Sequence, residues 1–282
     1  MKKLLLSAVA MMLVMTSFAQ EKKFFTPEDA SYNNYAVYPK SQSFKWLGNT
    51  DKFVFTEDNE IKFRSPGEKS AHTLLSLETL NGIAKGGLGE FKRLPNITWI
   101  DENSGYFYKR NNEESMSLNL LNINDKSITT ITVIPANAEN ITLNEKTMKV
   151  AYTIGNDLYV ANGRSQIRLT ENPEHVIAGQ SVHRNEFAID GGIFWSPDGS
   201  KLAYYLMDES MVTDYPLVDI TTRIATEKPI KYPMAGMTSH IVKLHVYDFA
   251  TGKDVVMQTG EPEEHYLTAI TWNNDNEKLS VS

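Results

Sequence analysis

The sequence predicts an all-β chain, a partial β-propeller of about four to five blades, each an antiparallel four-stranded sheet. Three observations carry that reading. A large apolar residue recurs six positions before a lysine or glycine that opens a strand-like run: Trp46 and Lys52, Trp99 and Gly105, Leu143 and Lys149, Trp195 and Lys201, Trp272 and Lys278. The runs are β-branched or aromatic and bounded by Asn, Asp and Gly. The first three repeat steps are 53, 44 and 52 residues long, the unit length of a propeller blade.

The elements follow in order. Lys52–Thr56, Gly105–Tyr108, Lys149–Thr153 and Lys201–Tyr205 are equivalent inner strands of successive units. Second runs follow polar turns: Ser117–Ile123 after Glu113-Glu114, Leu158–Ala161 after Gly155-Asn156-Asp157, and Val242–Phe249 in the fourth unit. Asn162-Gly163 and Thr251-Gly252 close hairpins. The fourth step, Trp195 to Trp272, is 77 residues, and its excess between Met207 and Met237 reads as an arm inserted between two strands of one blade. The last copy of the repeat runs into Ser282, which reads as the front portion of a longer protein.

Three segments are expected: 1–19 as a signal peptide, 20–40 as a polar, irregular extension, and 41–282 as the incomplete propeller. Lys2 and Lys3 precede an apolar stretch from Leu4 to Val14, and Ser17-Phe18-Ala19 forms a small-x-small cleavage site before Gln20. Export to the periplasm or outer surface of a Gram-negative bacterium is the expectation. The chain has no cysteine, which excludes disulfides, thiolate metal ligands, a lipid-modified cysteine and a cysteine nucleophile. With a net charge of -7, no broad basic face is expected to attract nucleic acid.

No Gly-x-Ser-x-Gly elbow, His-Glu-x-x-His helix, phosphate loop or dinucleotide fingerprint occurs, so neither a catalytic residue nor a cofactor is expected in this chain. The six histidines are scattered. Asp208, Glu209, Asp214 and Asp219 lack calcium-loop spacing and read as a solvated acidic arm, so no metal site is expected. Val182-His183-Arg184-Asn185-Glu186-Phe187 stands apart, because it places charge and aromatic residues where a blade needs only a connection. A short helical turn there would aim Glu186 and Arg184 off the propeller face; the competing reading is an ordinary polar connection.

At Phe194-Trp195-Ser196-Pro197-Asp198-Gly199 the chain resembles the N-terminal propeller of the dipeptidyl peptidase IV branch of the prolyl oligopeptidase family. The resemblance continues through Tyr232-Pro233-Met234-Ala235-Gly236, Val242–Tyr247 and Glu264–Trp272, in the family's order. It implies four to five blades of an eight-bladed propeller, with the Ser-Asp-His triad on an α/β-hydrolase domain missing from this chain. The chain alone would then be inactive.

The resemblance also implies a peptide substrate with a free N-terminus, bound by two successive glutamates and cleaved after Xaa-Pro or Xaa-Ala. Here Glu186 matches the second glutamate, and Asn185 replaces the first. A single carboxylate weakens the clamp on an ammonium group, which keeps a prolyl tripeptidyl peptidase reading open. Arg110, in Tyr108-Lys109-Arg110-Asn111, is the nearest match to a family arginine near the substrate carbonyl. The arm 207–237 resembles the family's dimerisation arm and implies a homodimer. A stand-alone periplasmic propeller that binds a peptide or protein without catalysis is the alternative.

Overall fold

The structure, a computed structural model, describes residues 26–31, 42–182, 191–261, 263 and 265–281. The chain divides into two compact units, Met1–Ser43 and Phe44–Ser282. The first contains a short helix, α1 (Pro27–Ser31), where the sequence suggested only irregular chain. Thr26 and Asp29 account for it by capping each other: the Thr26 amide donates to Asp29 Oδ2 at 3.2 Å, and the Asp29 amide donates to Thr26 Oγ1 at 3.1 Å.

The second unit is a run of consecutive antiparallel meanders. Blade 1 is β1 (Lys45–Trp46), β2 (Phe53–Glu57), β3 (Glu60–Arg64) and β4 (His72–Ser76), paired in that order. Helix α2 (Leu77–Ala84) follows, with Ser76 Oγ accepting the Thr79 amide as its N-cap and Leu80 and Ala84 buried. Nothing in the strand-like periodicity announced this helix. Blade 2 is β5 (Thr98–Trp99), β6 (Ser104–Arg110), β7 (Ser115–Asn122) and β8 (Ser127–Pro135). Blade 3 is β9 (Glu139–Asn144), β10 (Lys149–Ile154), β11 (Asp157–Asn162) and β12 (Ser165–Arg168).

Blade 4 departs from the pattern twice. Its first strand is broken into β13 (Val176–Ala178) and β14 (Ile193–Trp195), both paired with β15 (Lys201–Asp208). Between β15 and β20 (Ile241–Asp248) an arm is inserted, after which β21 (Lys253–Val256) completes the sheet. The arm is a ribbon in which β16 (Asp214–Tyr215) pairs with β19 (Ile230–Lys231), and β17 (Val218–Asp219) pairs with β18 (Thr226–Glu227). Met207 and Asp208 belong to the blade, so the arm proper begins at Glu209. A hairpin of β22 (Thr271–Trp272) and β23 (Leu279–Ser280) opens blade 5. The unit is a partial β-propeller of four complete blades and the start of a fifth.

The six-residue offset has a physical origin in the first hairpin of each blade. Trp46 pairs with Phe53, Leu143 with Val150, Trp195 with Leu202 and Trp272 with Leu279, a spacing of seven. Blade 2 is one residue shorter, with Trp99 opposite Gly105. Residue Gly105 is required there, because a Cβ would sit 2.6 Å from the Ile97 side chain and 2.9 Å from the Thr98 carbonyl.

Side chains at the two ends of the motif reach opposite ways. The Trp195 indole Nε1 donates back to the Thr142 carbonyl of blade 3 at 3.1 Å, and Trp272 Nε1 donates to Phe194 O of blade 4 at 3.0 Å. Each acceptor lies one residue before the preceding blade's own repeat position. The opening lysines reach forward to the next blade's first turn: Lys52 Nζ to Glu102 Oε1 at 2.9 Å, Lys149 Nζ to Gly199 O at 2.9 Å, and Lys201 Nζ to Asn276 O at 3.0 Å. Blade 2, with glycine in the lysine position, uses its next residue instead: the Tyr106 hydroxyl donates to Glu145 Oε1 at 2.9 Å.

Alternate residues of each strand face the preceding and the following blade. Leu202 and Tyr204 pack with Leu158, Val160 and Ile193 toward blade 3, while Ala203 and Tyr205 pack with Val242, Leu244 and Leu267 toward blade 5. Blade 1 buries Val54 and Ile61 in one cluster with Ile97, Trp99 and Phe107 of blade 2. Leu118 and Ile134 of blade 2 share another with Val150, Tyr152 and Ala161 of blade 3.

The turn after Trp195 is held by Asp198, whose Oδ1 accepts hydrogen bonds from the Ser200 amide (2.9 Å), Ser200 Oγ (2.8 Å) and Ser196 Oγ (2.8 Å). The Ser200 amide is the main cause that lowers its carboxyl below the ordinary 3.8. Asp198→Ala is therefore expected to cost about 1 kcal/mol in urea unfolding at neutral pH. Because the folded value is depressed, this contribution is fully present above the ordinary carboxylate range and is lost as pH falls through the folded value. Wild type and variant should converge there; a gap independent of pH would show that the carboxylate is not the stabilising form.

Candidate functional site

The interruption of blade 4's first strand builds the candidate site. Strands β13 and β14 occupy successive lengths of one edge of β15: Val176 lies opposite Asp208, Ala178 opposite Leu206, and Ile193 opposite Tyr204. Tyr205, the residue between these pairings, binds both ends of the excursion through its backbone. Its carbonyl accepts the Gly179 amide at 2.8 Å, and its amide donates to the Gly192 carbonyl at 3.0 Å. Gly179 and Gly192 thus stand at the two sides of one neck on this edge.

Glycines make the neck narrow enough. A Cβ on Gly192 would lie 2.1 Å from the Gln180 carbonyl oxygen and 2.6 Å from its amide nitrogen. Gly179 has φ +69°, in the left-handed region, and a Cβ there would meet Ile193, Leu158 and Thr153 at 3.1 Å each. Gln180 Nε2 donates to the Gly155 carbonyl of blade 3 at 2.9 Å, and Val182 is buried among Leu244, Leu267 and Tyr205.

Titratable groups brace the outgoing limb. The Tyr205 hydroxyl donates to Leu267 O at 2.8 Å, and burial pushes the phenol up to about 12, so it remains a donor at physiological pH. Burial lowers the His240 imidazole below its ordinary value, and a hydrogen bond to the Val182 backbone opposes that shift.

Arg184, Asn185 and Glu186 lie outside the described residues. Arg110 ends β6 in blade 2, exposed, and its guanidinium donates to its own turn: Nε to Asn112 O at 3.2 Å and Nη2 to Glu113 O at 3.3 Å.

The acidic residues of the arm do not form the single solvated group that the sequence suggested. Asp208 ends β15 and caps Ser210. Asp214 pairs with Lys231 at 3.0 Å, and Asp219 accepts from the Thr221 amide and hydroxyl. Glu209 is different: its side chain is only 21% exposed, beside His175 Nδ1 at 3.8 Å. Burial raises its carboxyl above the ordinary value, with His175 and Lys231 opposing. The Glu209 amide also donates to the His175 carbonyl, which ties the arm's root to the start of β13. His175 is 34 residues away in sequence, so no local pattern marks the pair. Among the described residues, no group of three or more His, Asp or Glu is arranged to hold a metal ion.

A family model described as "Dipeptidyl peptidase IV (DPP IV) N-terminal region" matches residues 101–282, well over half of the sequence. The chain belongs to this family. It is 25% identical to dipeptidyl peptidase 4 of Felis catus over 288 residues, covering 93% of this chain and 36% of that one. The dipeptidyl peptidase IV N-terminal region is thus represented here by a chain spanning about a third of that relative's length. Among solved structures, a putative dipeptidyl aminopeptidase IV from Bacteroides ovatus superposes with a TM-score of 0.72 and 34% identity, over 84% of this chain and 32% of that one. Dipeptidyl peptidase 4 of Porphyromonas gingivalis superposes with a TM-score of 0.68 at 16% identity, over 92% and 38%, a likeness of fold.

The two glycines at the returning limb of the neck separate strain from contact. Gly191 has φ +79° and open space around its Cβ direction, so Gly191→Ala is expected to cost about 1 kcal/mol. Gly192→Ala drives a methyl into the Gln180 backbone and should cost about 3 kcal/mol or more. Thermal unfolding of the two variants checks this; equal losses would mean that the limbs of the neck are not in contact.

Proposed function

We propose that this chain is the leading propeller portion of an exported serine exopeptidase that releases dipeptides from peptide N-termini after proline or alanine. Membership of residues 101–282 in the dipeptidyl peptidase IV N-terminal family is the observation that carries the reading. The catalytic triad would reside on an α/β-hydrolase domain of the same polypeptide, so the propeller's part is to admit and position substrate. Positioning without a nucleophile gives binding and no turnover.

Glu186 is assigned as the anchor of the substrate's terminal ammonium group, with Asn185, Arg184 and Arg110 as further substrate contacts. The neck at Gly179, Tyr205 and Gly192 supports this assignment, because it interrupts the first strand of a blade and fixes the chain on both sides of the segment that contains Glu186. A charge-assisted hydrogen bond contributes about 1.5–3 kcal/mol. Glu186→Gln in the whole polypeptide should therefore lower kcat/KM for Xaa-Pro substrates roughly ten- to a hundredfold. Substrates with a blocked N-terminus should be unaffected. Unchanged kinetics would remove Glu186 from the role, and release of tripeptides would favour the tripeptidyl reading.

The arm is proposed as the contact between two copies of the chain. Ile220 and Ile224, on either side of its tip, are each 81% exposed, an arrangement that costs solubility unless a partner covers it. Ile220→Asp combined with Ile224→Asp should convert a dimer into a monomer in sedimentation velocity. A dimer that survives both changes would place the contact elsewhere.

A further inference from the structure

The two sides of the neck are held unequally. The returning side presents Gly191 and Gly192, which have no side chain for a neighbour to hold, before the chain rejoins β15 at Ile193. The outgoing side is bolted to both adjoining blades. Gln180 Nε2 donates to the Gly155 carbonyl of blade 3, and Val182 is buried on the blade 5 side, packed with Tyr205, Leu244 and Leu267. Leu267 lies just ahead of β22 and belongs to the entry of blade 5. His240, the residue before β20 at the arm's return, adds a hydrogen bond to the Val182 backbone.

The bolt on the blade 5 side is a hydroxyl that the repeat does not otherwise use in this way. The paired registers align Tyr205 with Thr56 of blade 1, Tyr108 of blade 2 and Thr153 of blade 3. Thr56 is exposed. The Tyr108 hydroxyl is buried with no hydrogen-bond partner among the described residues. Thr153 Oγ1 stays within its own blade, donating to Glu139 O at 3.3 Å and accepting from Asn140 Nδ2 at 2.8 Å. Of the four, Tyr205 reaches the next blade: its hydroxyl donates to Leu267 O, 62 residues on, at 2.8 Å. Tyr205 is 1% exposed, so the bond is shielded from water and worth more than one at the surface.

We propose that Tyr205 is a positioning residue for substrate binding: its hydroxyl fixes the entry of blade 5 against Val182 and so sets where the chain stands as it leaves the neck. It acts through Leu267 and Val182 and does not itself touch substrate. The main chain of Tyr205 closes the neck, and its side chain aligns the outgoing limb. Recognition of a free N-terminus is then a joint property of blades 4 and 5. The inference rests on the reading of Glu186 as the anchor of the ammonium group.

Tyr205→Phe tests it, because the change removes one oxygen and keeps the buried ring. In the 282-residue chain, hydrogen exchange followed by mass spectrometry should quicken at residues 179–182 and 267–269 and stay unchanged across β10 and β11 of blade 3. In the whole polypeptide, KM for Xaa-Pro substrates should rise about three- to tenfold with kcat held within about twofold. Substrates with a blocked N-terminus should be unaffected. Val182→Ala loosens the same contact from the other side and should move KM in the same direction, with the double variant falling short of the product of the two single effects.

Exchange that is unchanged at both stretches, or raised to the same degree throughout the chain, would overturn the proposal, because the bond would then be idle or a general stabiliser. Loss of kcat with KM unchanged, or equal losses on free and blocked N-termini, would overturn it as well. If Tyr205→Phe leaves KM unchanged while Glu186→Gln lowers kcat/KM, this inference falls and the proposed function stands. If Glu186→Gln has no effect, the anchor assignment fails first and takes this inference with it.

Discussion

Everything in the second unit depends on one constraint: a four-stranded blade has two apolar faces and no core of its own. Alternation along a strand sends half of its side chains each way, so a blade becomes a folded object only by contact with neighbours. The hydrophobic clusters accordingly straddle blade boundaries. Apolar packing alone is indifferent to sliding, and a propeller needs each blade at a fixed height on the next. The tryptophan and lysine hydrogen bonds supply that height, because each has a single acceptor in the adjoining blade.

This is why so much of the fold was legible. The residues that set the blade spacing are large and chemically distinctive, and they flank a turn of nearly constant length. Trp195 and Lys201 therefore stand out in the sequence for the same reason that they matter in the structure. The arm was visible as surplus length in a regular repeat, and its strand pairs fall where the excess lay. Helix α2 escaped notice because eight residues between two strands leave little room for a helical period to emerge, although Ser76, Leu80 and Ala84 carry its cap and buried face.

The site was legible only as an oddity of composition. His183-Arg184-Asn185-Glu186 stood out as charge in a place that needed none, but the device that holds this stretch is made of backbone contacts. No motif reports that Gly179 and Gly192 will both bind Tyr205, which lies 13 residues beyond Gly192. Glu209 was missed for a related reason. An acidic residue in an acidic loop reads as solvated, and only tertiary placement beside His175 and Lys231 separates it from Asp214 and Asp219.

The neck has a consequence for how this region changes over time. Both of its hydrogen bonds use the main chain of Tyr205, and its clearances depend on glycine, so its closure rests on main-chain contacts rather than on side chains. Side-chain changes between the two glycines do not touch these main-chain bonds, although Gln180 carries a hydrogen bond and Val182 packing of its own. Blade 4 is in this sense a socket. Under the proposed function, a change of specificity would then need only the residues between two fixed glycines to be rewritten, without refolding a propeller.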